Sequence, residues 1–193
     1  MRKVVSPTQA AEAFHDGKVA LVPTETVVGL VAAETALGRI ERIKHRSPGK
    51  KPVALLCAST EEAFAEAASV PPFAHKLASL YWPGPLTLVL DRAVGGTVGV
   101  RVPAGTVVRA VLAAYGEPLH ATSANLSGES APKGLEQVDP RVSEAVDLVV
   151  EGEAGSGEAS AVVDLSGGQV RLLRATEELT DDTLSRLITE ANR

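Results

Sequence analysis

Apolar runs alternate with polar, helix-like segments along most of the chain. The runs at 19–23 and 52–57 are continuous, which is typical of strands that are buried on both faces of a sheet. Between them, apolar residues recur at three-residue spacing over 35–45 and predict an amphipathic helix. Because strand-like and helical segments mix throughout, the sequence predicts an α/β fold.

Capping residues mark where several helices begin and end. Ser6 and Gln9 have the spacing of a capping box, and Gly17 follows the helix that they start. Ser59 and Glu62 repeat the capping-box spacing before a second helix. Both signals place a helix directly after a strand-like run, as an α/β fold requires.

The later strands predict a mixed sheet with flanking helices. Strands are predicted at 86–90, 98–102 and 118–122, and the first two are linked too briefly for a crossover helix, so they should pair antiparallel. Three short apolar runs near the C-terminus predict further strands before a final helix that starts at Thr180. The segment 152–160 has the small and polar composition of a mobile loop between strands.

Composition limits the classes of function. The 193 residues are 45% hydrophobic and 22% charged, which predicts one soluble domain over residues 1–193 with no membrane span. The chain has one cysteine, Cys57, and no secretory signal at its N-terminus, which predicts a cytoplasmic protein. The net charge of −5 and the 3% of aromatic residues disfavour broad binding to nucleic acid, so any bound anion should sit in a local pocket.

A basic bend interrupts this acidic chain. The stretch IKHRSPGKKP gathers Lys44, Arg46, Lys50 and Lys51 around a Pro-Gly turn. These cations could form a solvated surface, a nucleic-acid patch, or a site that converges on a polyphosphate or carboxylate. On these residues alone, the solvated surface is the favoured interpretation.

Arg101 lies within a strand of alternating pattern. Val98, Val100 and Val102 should face one way, and Gly99 and Arg101 the other. An arginine beside a glycine in mid-strand indicates a cavity for an anion, since a guanidinium binds carboxylate and phosphate bidentately. An edge strand that exposes Arg101 to solvent is supported equally well by the sequence.

Two loops that follow strands carry hydroxyl groups. Thr24 and Thr26 follow the strand at 19–23 and could line a crevice, although a turn-capping role is favoured. Ser123 and Asn125 lie in a small-residue loop that could offer N–H and hydroxyl groups to phosphate or simply form a turn. The sequence contains no P-loop, no dinucleotide-binding glycine motif and no metal-ligand spacing of its histidines.

Read in order, the motifs resemble those of the YrdC-like family, the threonylcarbamoyl-AMP synthases. The matching stretches are PTETVVGL, IKHRSPGKKPVALL, WPGPLTLVL, VGVRVP and ATSANLSG, within a resemblance that spans roughly residues 18–175. The resemblance implies an open, twisted mixed sheet with flanking helices around a large concave cavity that is positively lined.

The resemblance also implies an activity and its partners. Members condense L-threonine, bicarbonate and ATP to threonylcarbamoyl-AMP and pyrophosphate, a nucleotidyltransferase reaction in which Mg²⁺ should bridge the ATP phosphates. A threonylcarbamoyl transferase complex would then pass the threonylcarbamoyl group to tRNA, onto the adenosine next to the anticodon. Some members are also described as binding double-stranded RNA.

The family positions can be carried over to this chain residue by residue. The resemblance implies a catalytic tetrad of Lys44, Arg46, Ser123 and Asn125. It implies that threonine or bicarbonate contacts Thr26, Arg101 and the backbone near Ala121. It implies ATP contacts at Arg46, Lys51, Thr97, Ser123 and Arg174, and no protein ligands to a metal.

The chain departs from the family pattern at several positions. Val28 and Val31 replace a tyrosine and a glycine, so one wall of the pocket should be altered. Leu56 stands where some members place a threonine-contacting histidine. Hydroxyl groups expected on the nucleotide side are lost at Ala131, Lys133 and Ala161, and Lys133 could act instead as an added phosphate contact.

Two alternatives to the synthase follow from these observations. The same basic cavity could serve an RNA-binding module in translation or ribosome assembly, although the acidic net charge disfavours RNA as the main ligand. The lost hydroxyl groups motivate the second alternative, a diverged paralogue that binds a nucleotide or a different carbamoyl acceptor.

Overall fold

Ten strands form one open sheet within the part of the chain that the computed structural model describes, residues 3–45, 53–153 and 155–191. The strands are β1 (Lys3–Val5), β2 (Val19–Pro23), β3 (Val28–Ala32), β4 (Ala54–Leu56), β5 (Leu86–Asp91), β6 (Thr97–Arg101), β7 (Leu119–Ser123), β8 (Leu148–Val150), β9 (Ala161–Asp164) and β10 (Arg171–Arg174). Their order across the sheet is β1-β8-β2-β3-β7-β4-β6-β5-β9-β10.

The sheet is mixed, which confirms the predicted fold class. β2 pairs antiparallel with β3 and β3 antiparallel with β7, whereas β4 runs parallel to β6. β5 and β6 pair antiparallel, as their short link predicted. β9 lies parallel to β5 and antiparallel to β10. This order brings strands that are far apart in sequence side by side in the middle of the sheet.

Seven described α-helices flank the sheet. They are α1 (Pro7–His15), α2 (Leu37–Ile43), α3 (Thr60–Ala65), α4 (Pro72–Tyr81), α5 (Thr106–Tyr115), α6 (Pro140–Ala145) and α7 (Asp181–Ala191). None of these helices combines the length and apolar character needed to cross a membrane. Short 3₁₀ turns occur at Glu34–Ala36, Leu135–Gln137 and Ser166–Gly168.

The predicted helix caps are present, with one change. Ser6 N donates to Gln9 Oε1 at 3.0 Å and Gln9 N donates to Ser6 Oγ at 3.3 Å, so the first capping box is confirmed. Before α3, Glu62 N donates to Ser59 Oγ at 3.2 Å. The Glu62 carboxylate accepts from Ala58 N rather than from Ser59 N, so the second box closes one residue earlier than predicted.

Alternate side chains of β2 pack into different hydrophobic clusters. Ala20 and Val22 join a cluster shared with α1 and α5, whereas Val19 and Leu21 join a cluster shared with α2 and α6. Burial on both faces explains why β2 is a continuous apolar run. A third cluster packs side chains of β5, β6 and β9 against α3, α4 and α7.

β3 is a strand that the sequence analysis did not predict. All five of its residues are buried, and it pairs with β2 on one side and β7 on the other. The connection 24–27 between β2 and β3 therefore turns sharply at the end of a buried hairpin. The Thr-Glu-Thr sequence therefore lies at the end of two inner strands of the sheet, not beside an edge strand.

Buried His120 should make stability depend on pH. His120 is 5% exposed on β7, its Nδ1 has no hydrogen-bond partner in the described structure, and burial lowers the pKa of its imidazole below the ordinary value of 6.5. Below about pH 6.5 the unfolded chain binds the proton more readily, so the free energy of unfolding should fall as pH drops from 7 toward 5.

The substitution His120→Leu should flatten that fall by up to about 1.4 kcal/mol per pH unit, measured by urea unfolding at each pH. Val4→Ala, at an exposed position on β1 that does not titrate, is the control and should leave the pH dependence as it is in the wild type. Parallel stability curves for the wild type and His120→Leu would show that His120 is not the responsible group.

Candidate active site

A concave cavity of about 550 Å³ opens on one face of the sheet. Residues of the connection 24–27 and of seven strands line it; the strands are β3, β4, β5, β6, β7, β9 and β10. Leu56 and Ala121 belong both to this lining and to the cluster shared with α1 and α5, so the cavity lies on the face that those helices partly cover. The volume is typical of small-molecule sites. Among the described lining residues, the charged ones are Arg101 and Arg174.

Small residues keep the floor of the cavity open. A Cβ at Gly99 would meet Thr87 Cγ2 at 3.4 Å and Ala54 at 3.9 Å, so any side chain there would fill space next to these strands. Gly29 also lines the cavity, and a Cβ there would meet Val31 Cγ2 at 3.3 Å. The strands can therefore approach closely and still leave room for a ligand above them.

The alternation predicted for β6 is confirmed. Val98, Val100 and Val102 pack into the cluster shared with α3, α4 and α7, whereas Gly99 and Arg101 line the cavity. Arg101 is only 7% exposed, and β6 lies between β4 and β5 in the sheet. The alternative of a solvent-exposed edge strand is therefore wrong.

The protein holds three of the five N–H donors of Arg101. Nε donates to Gly84 O at 3.1 Å, and Nη2 donates to Glu25 Oε1 at 2.5 Å and to Thr26 Oγ1 at 3.1 Å. In the described structure Nη1 has no protein partner, and it is not sealed from solvent. The guanidinium is thus fixed on one side and can present two N–H groups to a ligand on the other.

Glu25 is a site residue that the sequence analysis missed. Its Oε1 accepts from Arg101 and from Ala104 N at 3.0 Å, and its Oε2 accepts from Gly105 N at 3.0 Å. Burial acts to raise the pKa of this carboxyl, but the charge of Arg101 and the N–H donors outweigh it and hold the pKa below the ordinary 4.5. Glu25 is therefore ionised at neutral pH and forms a largely buried ion pair with Arg101.

The two threonines beside Glu25 have different roles. Thr24 Oγ1 donates to Val27 O at 2.7 Å and accepts from the N–H groups of Thr26 and Val27, both at 3.2 Å. Thr24 is thus a turn cap, the role that the sequence favoured, and it also lines the cavity. Thr26 Oγ1 lies 2.8 Å from Thr24 Oγ1 and accepts from Arg101, and Thr26 lines the cavity. Thr26 therefore couples the turn to the guanidinium.

Lys44 joins two of the predicted catalytic residues. Its Nζ donates to Ser123 O at 2.5 Å and to Asn125 Oδ1 at 3.0 Å, and Ser123 Oγ donates to the same amide oxygen. Ser127 Oγ donates to Lys44 O at 2.8 Å. Lys44 is fully buried, so the solvated-surface interpretation is wrong for this residue. Because Ser123 lines the cavity, the ammonium charge acts on the cavity through the Ser123–Asn125 turn.

Arg174 forms the second cationic side of the cavity. Its Nε donates to Ser160 O at 2.5 Å and its Nη2 donates to Ser160 Oγ at 3.2 Å. Ser160 Oγ lies 2.9 Å from Thr87 Oγ1, and the sequence analysis singled out neither of these two lining residues. Partial burial and the charge of Arg101 both lower the pKa of Arg174 from its ordinary value. An anion in the cavity would offset the repulsion between the two guanidiniums.

The other predicted substrate-binding residues do not all lie at the cavity. Ala121 lies on β7 and lines the cavity, as expected. Arg46 and Lys51 lie outside the described residues. Thr97 is exposed at the start of β6, paired with Asp91, and is not part of the cavity lining. Three residues lie between it and Arg101, and it is on the same face of β6 as Gly99 and Arg101. The ATP contact of Thr97 therefore stays a prediction.

The residues that depart from the family pattern lie partly in the cavity wall and partly in the hydrophobic core. Leu56 lines the cavity, as its match to a contact position implied. Val28 packs into the cluster shared with α2 and α6, and Val31 into the cluster shared with α1 and α5. Ala161 packs into the third cluster. Neither Val28 nor Val31 is among the described residues that line the cavity, so the described lining does not support the expectation that they alter its wall.

Residues 155–157, which we call the strap, lie against the connection 24–27. The three strap N–H groups donate to the carbonyl oxygens of Thr24, Glu25 and Thr26 at 2.8, 2.9 and 2.7 Å. This contact falls within the segment that the sequence predicted as a mobile loop. The strap thus holds the backbone from which Glu25 and Thr26 reach Arg101.

The cavity is equipped to bind anions. It combines two guanidiniums, a buried ammonium behind the Ser123–Asn125 turn, and several hydroxyl groups. The described residues include no group of three or more His, Cys, Asp or Glu side chains that could hold a metal ion. The arrangement can therefore orient anionic reactants and stabilise charge that develops between them.

Comparison with known proteins gives the context for this site. A profile of the Sua5/YciO/YrdC family, described as telomere recombination, matches residues 12–176. The threonylcarbamoyl-AMP synthase of Pyrococcus abyssi is 36% identical over 178 residues, which cover 86% of this chain and 52% of that protein. The threonylcarbamoyl-AMP synthase of Xanthomonas axonopodis pv. citri is 33% identical over 177 residues, which cover 84% of this chain and 94% of that protein.

A solved structure shares the fold. The crystal structure of P. abyssi Sua5 complexed with L-threonine matches with a TM-score of 0.83 and 31% identity, over 98% of this chain and 60% of that chain. The present chain thus spans about half the length of the Pyrococcus relative and nearly the whole length of the Xanthomonas relative.

Replacing Gly155 should detach the strap. A Cβ at this position would overlap the carbonyl oxygen of Glu25, so Gly155→Ala must displace the backbone. We expect hydrogen exchange of the strap amides, measured by NMR, to speed up about tenfold or more as their hydrogen bonds are lost. Gly38→Ala is the control, since a Cβ there approaches only Arg42 Nη1, at 3.7 Å. Unchanged exchange of the strap amides in Gly155→Ala would contradict the described contact.

Proposed function

The chain belongs to the Sua5/YciO/YrdC family, and on that premise we propose that it catalyses the synthesis of threonylcarbamoyl-AMP. L-Threonine, bicarbonate and ATP would give this adenylate, pyrophosphate and water. The amino nitrogen of threonine attacks the carbon of bicarbonate and water is lost, which leaves a carbamate. A carbamate oxygen then attacks the α-phosphorus of ATP, and pyrophosphate leaves.

The observation that carries the proposal is the guanidinium of Arg101, of which only Nε and Nη2 are hydrogen-bonded to the protein in the described structure. Its Nη1 has two N–H groups without protein partners in the described structure, at a cavity of about 550 Å³. The carboxylate of threonine would accept a charge-assisted hydrogen bond from one of these N–H groups. Thr26 and Ala121 line the same region and would contact the rest of the amino acid or the bicarbonate.

ATP would occupy the sides of the cavity formed by Arg174 and by the Ser123–Asn125 turn. Arg174 has a free Nη1 in the described structure, and Ser123 stands in front of the buried ammonium of Lys44. Arg46 and Lys51, carried over from the family resemblance, would add two further cations. Mg²⁺ would arrive bound to the ATP phosphates, where it neutralises charge.

Catalysis in this proposal is mainly electrostatic. Bicarbonate, a carboxylate and a triphosphate bring several negative charges together. The transition state at the α-phosphorus is also negatively charged, so the positive charge that balances it must come from outside these reacting groups. Fixed donors and cations around the cavity would hold the reactants in line and stabilise this charge. The Lys44 ammonium is pre-positioned by Ser123 O and Asn125 Oδ1 and needs no reorganisation during the reaction.

The product would serve tRNA modification through a partner. A threonylcarbamoyl transferase complex would transfer the threonylcarbamoyl group to the adenosine next to the anticodon. We do not extend the proposal to duplex RNA, because Arg101 and Arg174 both face a cavity of small-molecule size. Their charges are directed at a bound reactant rather than at an extended phosphate backbone.

A direct assay tests the proposal. The protein should release pyrophosphate and form threonylcarbamoyl-AMP only when ATP, L-threonine and bicarbonate are all present. Lys44→Met keeps the length of the side chain but removes the ammonium, and it should lower kcat by about a hundredfold or more because a fixed charge beside Ser123 is lost. Lys18→Met, at an exposed position before β2, should leave kcat unchanged.

Circular dichroism and thermal unfolding of each variant establish that it is folded before its kinetics are read. The proposal fails if folded wild-type protein forms no adenylate when all three substrates are present. It also fails if folded Lys44→Met keeps the full wild-type kcat.

A further inference from the structure

The two arginines of the cavity differ in their protein partners. Arg101 forms an ion pair with Glu25, whose side chain is 20% exposed, whereas the side chain of Arg101 is 9% exposed. Arg174 is bound to the neutral oxygens of Ser160, and no ion pair to it occurs among the described residues. One side of the cavity therefore carries a compensated charge, and the other side carries an uncompensated one.

Glu25 is built into the site rather than loosely attached to it. Three donors converge on its carboxylate: Arg101 Nη2, Ala104 N and Gly105 N. A Cβ at residue 105 would lie 2.8 Å from Glu25 N, so the absence of a side chain there allows the close approach. The strap holds the carbonyl of the same residue through Ser156 N at 2.9 Å. The carboxylate is thus fixed at both its side chain and its backbone.

This fixed carboxylate has two consequences for an anion at Arg101. First, it holds Nη2, which leaves the N–H groups of Nη1 for the ligand, and a carboxylate can accept a charge-assisted hydrogen bond from one of them. Second, it offsets part of the charge of the guanidinium, so the field that attracts an anion is weaker than an unpaired guanidinium would give. Because Coulomb energy is proportional to the ligand's charge, a doubly charged phosphate loses more from this partial offset than a carboxylate does.

We propose that Glu25 determines specificity: it orients Arg101 and offsets part of its charge, so that this side of the cavity takes a single carboxylate in preference to phosphate. Phosphate groups are then held at the Arg174 side. The inference rests on the proposed function, because threonine supplies the carboxylate and ATP the phosphates. It deepens that function by explaining how two kinds of anion are sorted within one cavity.

Two substitutions separate the charge of Glu25 from its contacts. Glu25→Gln removes the charge and keeps the size, so inorganic phosphate should bind at Arg101 at least tenfold more tightly than in the wild type. Glu25→Asp keeps the charge but is one methylene shorter, so it should weaken L-threonine binding about tenfold while phosphate binding at Arg101 stays as weak as in the wild type. Only a role for the charge predicts opposite phosphate responses in these two variants.

The readout is the Nε–H signal of Arg101 in a proton–nitrogen NMR spectrum, assigned by its loss in Arg101→Lys. That N–H is bonded to Gly84 O, which slows its exchange with water. Inorganic phosphate and L-threonine are titrated separately into the wild type, Glu25→Gln and Glu25→Asp. The Arg174 signal, assigned in the same way, reports phosphate at the other side of the cavity.

In the wild type, phosphate should shift the Arg174 signal and leave the Arg101 signal in place, and in Glu25→Gln it should shift both. Equal phosphate shifts of the Arg101 signal in the wild type and Glu25→Gln would overturn the inference. A phosphate shift of Arg101 in the wild type overturns it even if Glu25→Gln does not fold. If L-threonine leaves the wild-type Arg101 signal unchanged, the proposed function fails, while the phosphate comparison still decides the role of Glu25.

Discussion

The site depends on one guanidinium that is buried in the middle of a sheet. Taking a charge out of water costs several kcal/mol unless partners replace the lost hydration. Arg101 meets this requirement with a carboxylate, a hydroxyl and a carbonyl, from Glu25, Thr26 and Gly84. The strap and the backbone at 104–105 in turn hold Glu25 in place. A single buried charge thus ties together segments that are distant in sequence.

The need to pair the buried charge of Arg101 also shapes the cavity. Pairing on one side of Arg101 leaves the opposite nitrogen without protein partners in the described structure, so the arrangement that stabilises the fold also prepares a binding position. Arg174 and the Ser123–Asn125 turn stand on other walls, each held by hydrogen bonds to neighbouring backbone or hydroxyl groups. Donors that are fixed before a ligand arrives cost little reorganisation when it binds, which is what a reaction among several anions requires.

Local pattern in the sequence was enough to predict part of this site. The period-two alternation around Arg101 predicted the side of β6 from which it projects, and the family motifs brought Lys44 together with Ser123 and Asn125. Partners across the fold could not be predicted in this way. Glu25 and Arg101 are 76 positions apart, and nothing near Glu25 in sequence distinguishes a buried carboxylate from an exposed one. Similarly, the sequence did not show that Thr97 is exposed at the start of β6 and absent from the described cavity lining.

Side chains from β6, β7, β10 and the connection 24–27 should bind their ligands in one cavity. A crystal structure of the wild-type protein with L-threonine and a non-hydrolysable ATP analogue tests it most directly. We expect the threonine carboxylate on Arg101 Nη1 and the phosphate groups near Arg174 and Ser123. Threonine or the nucleotide bound on an outer surface, with this cavity filled only by water, would contradict the account.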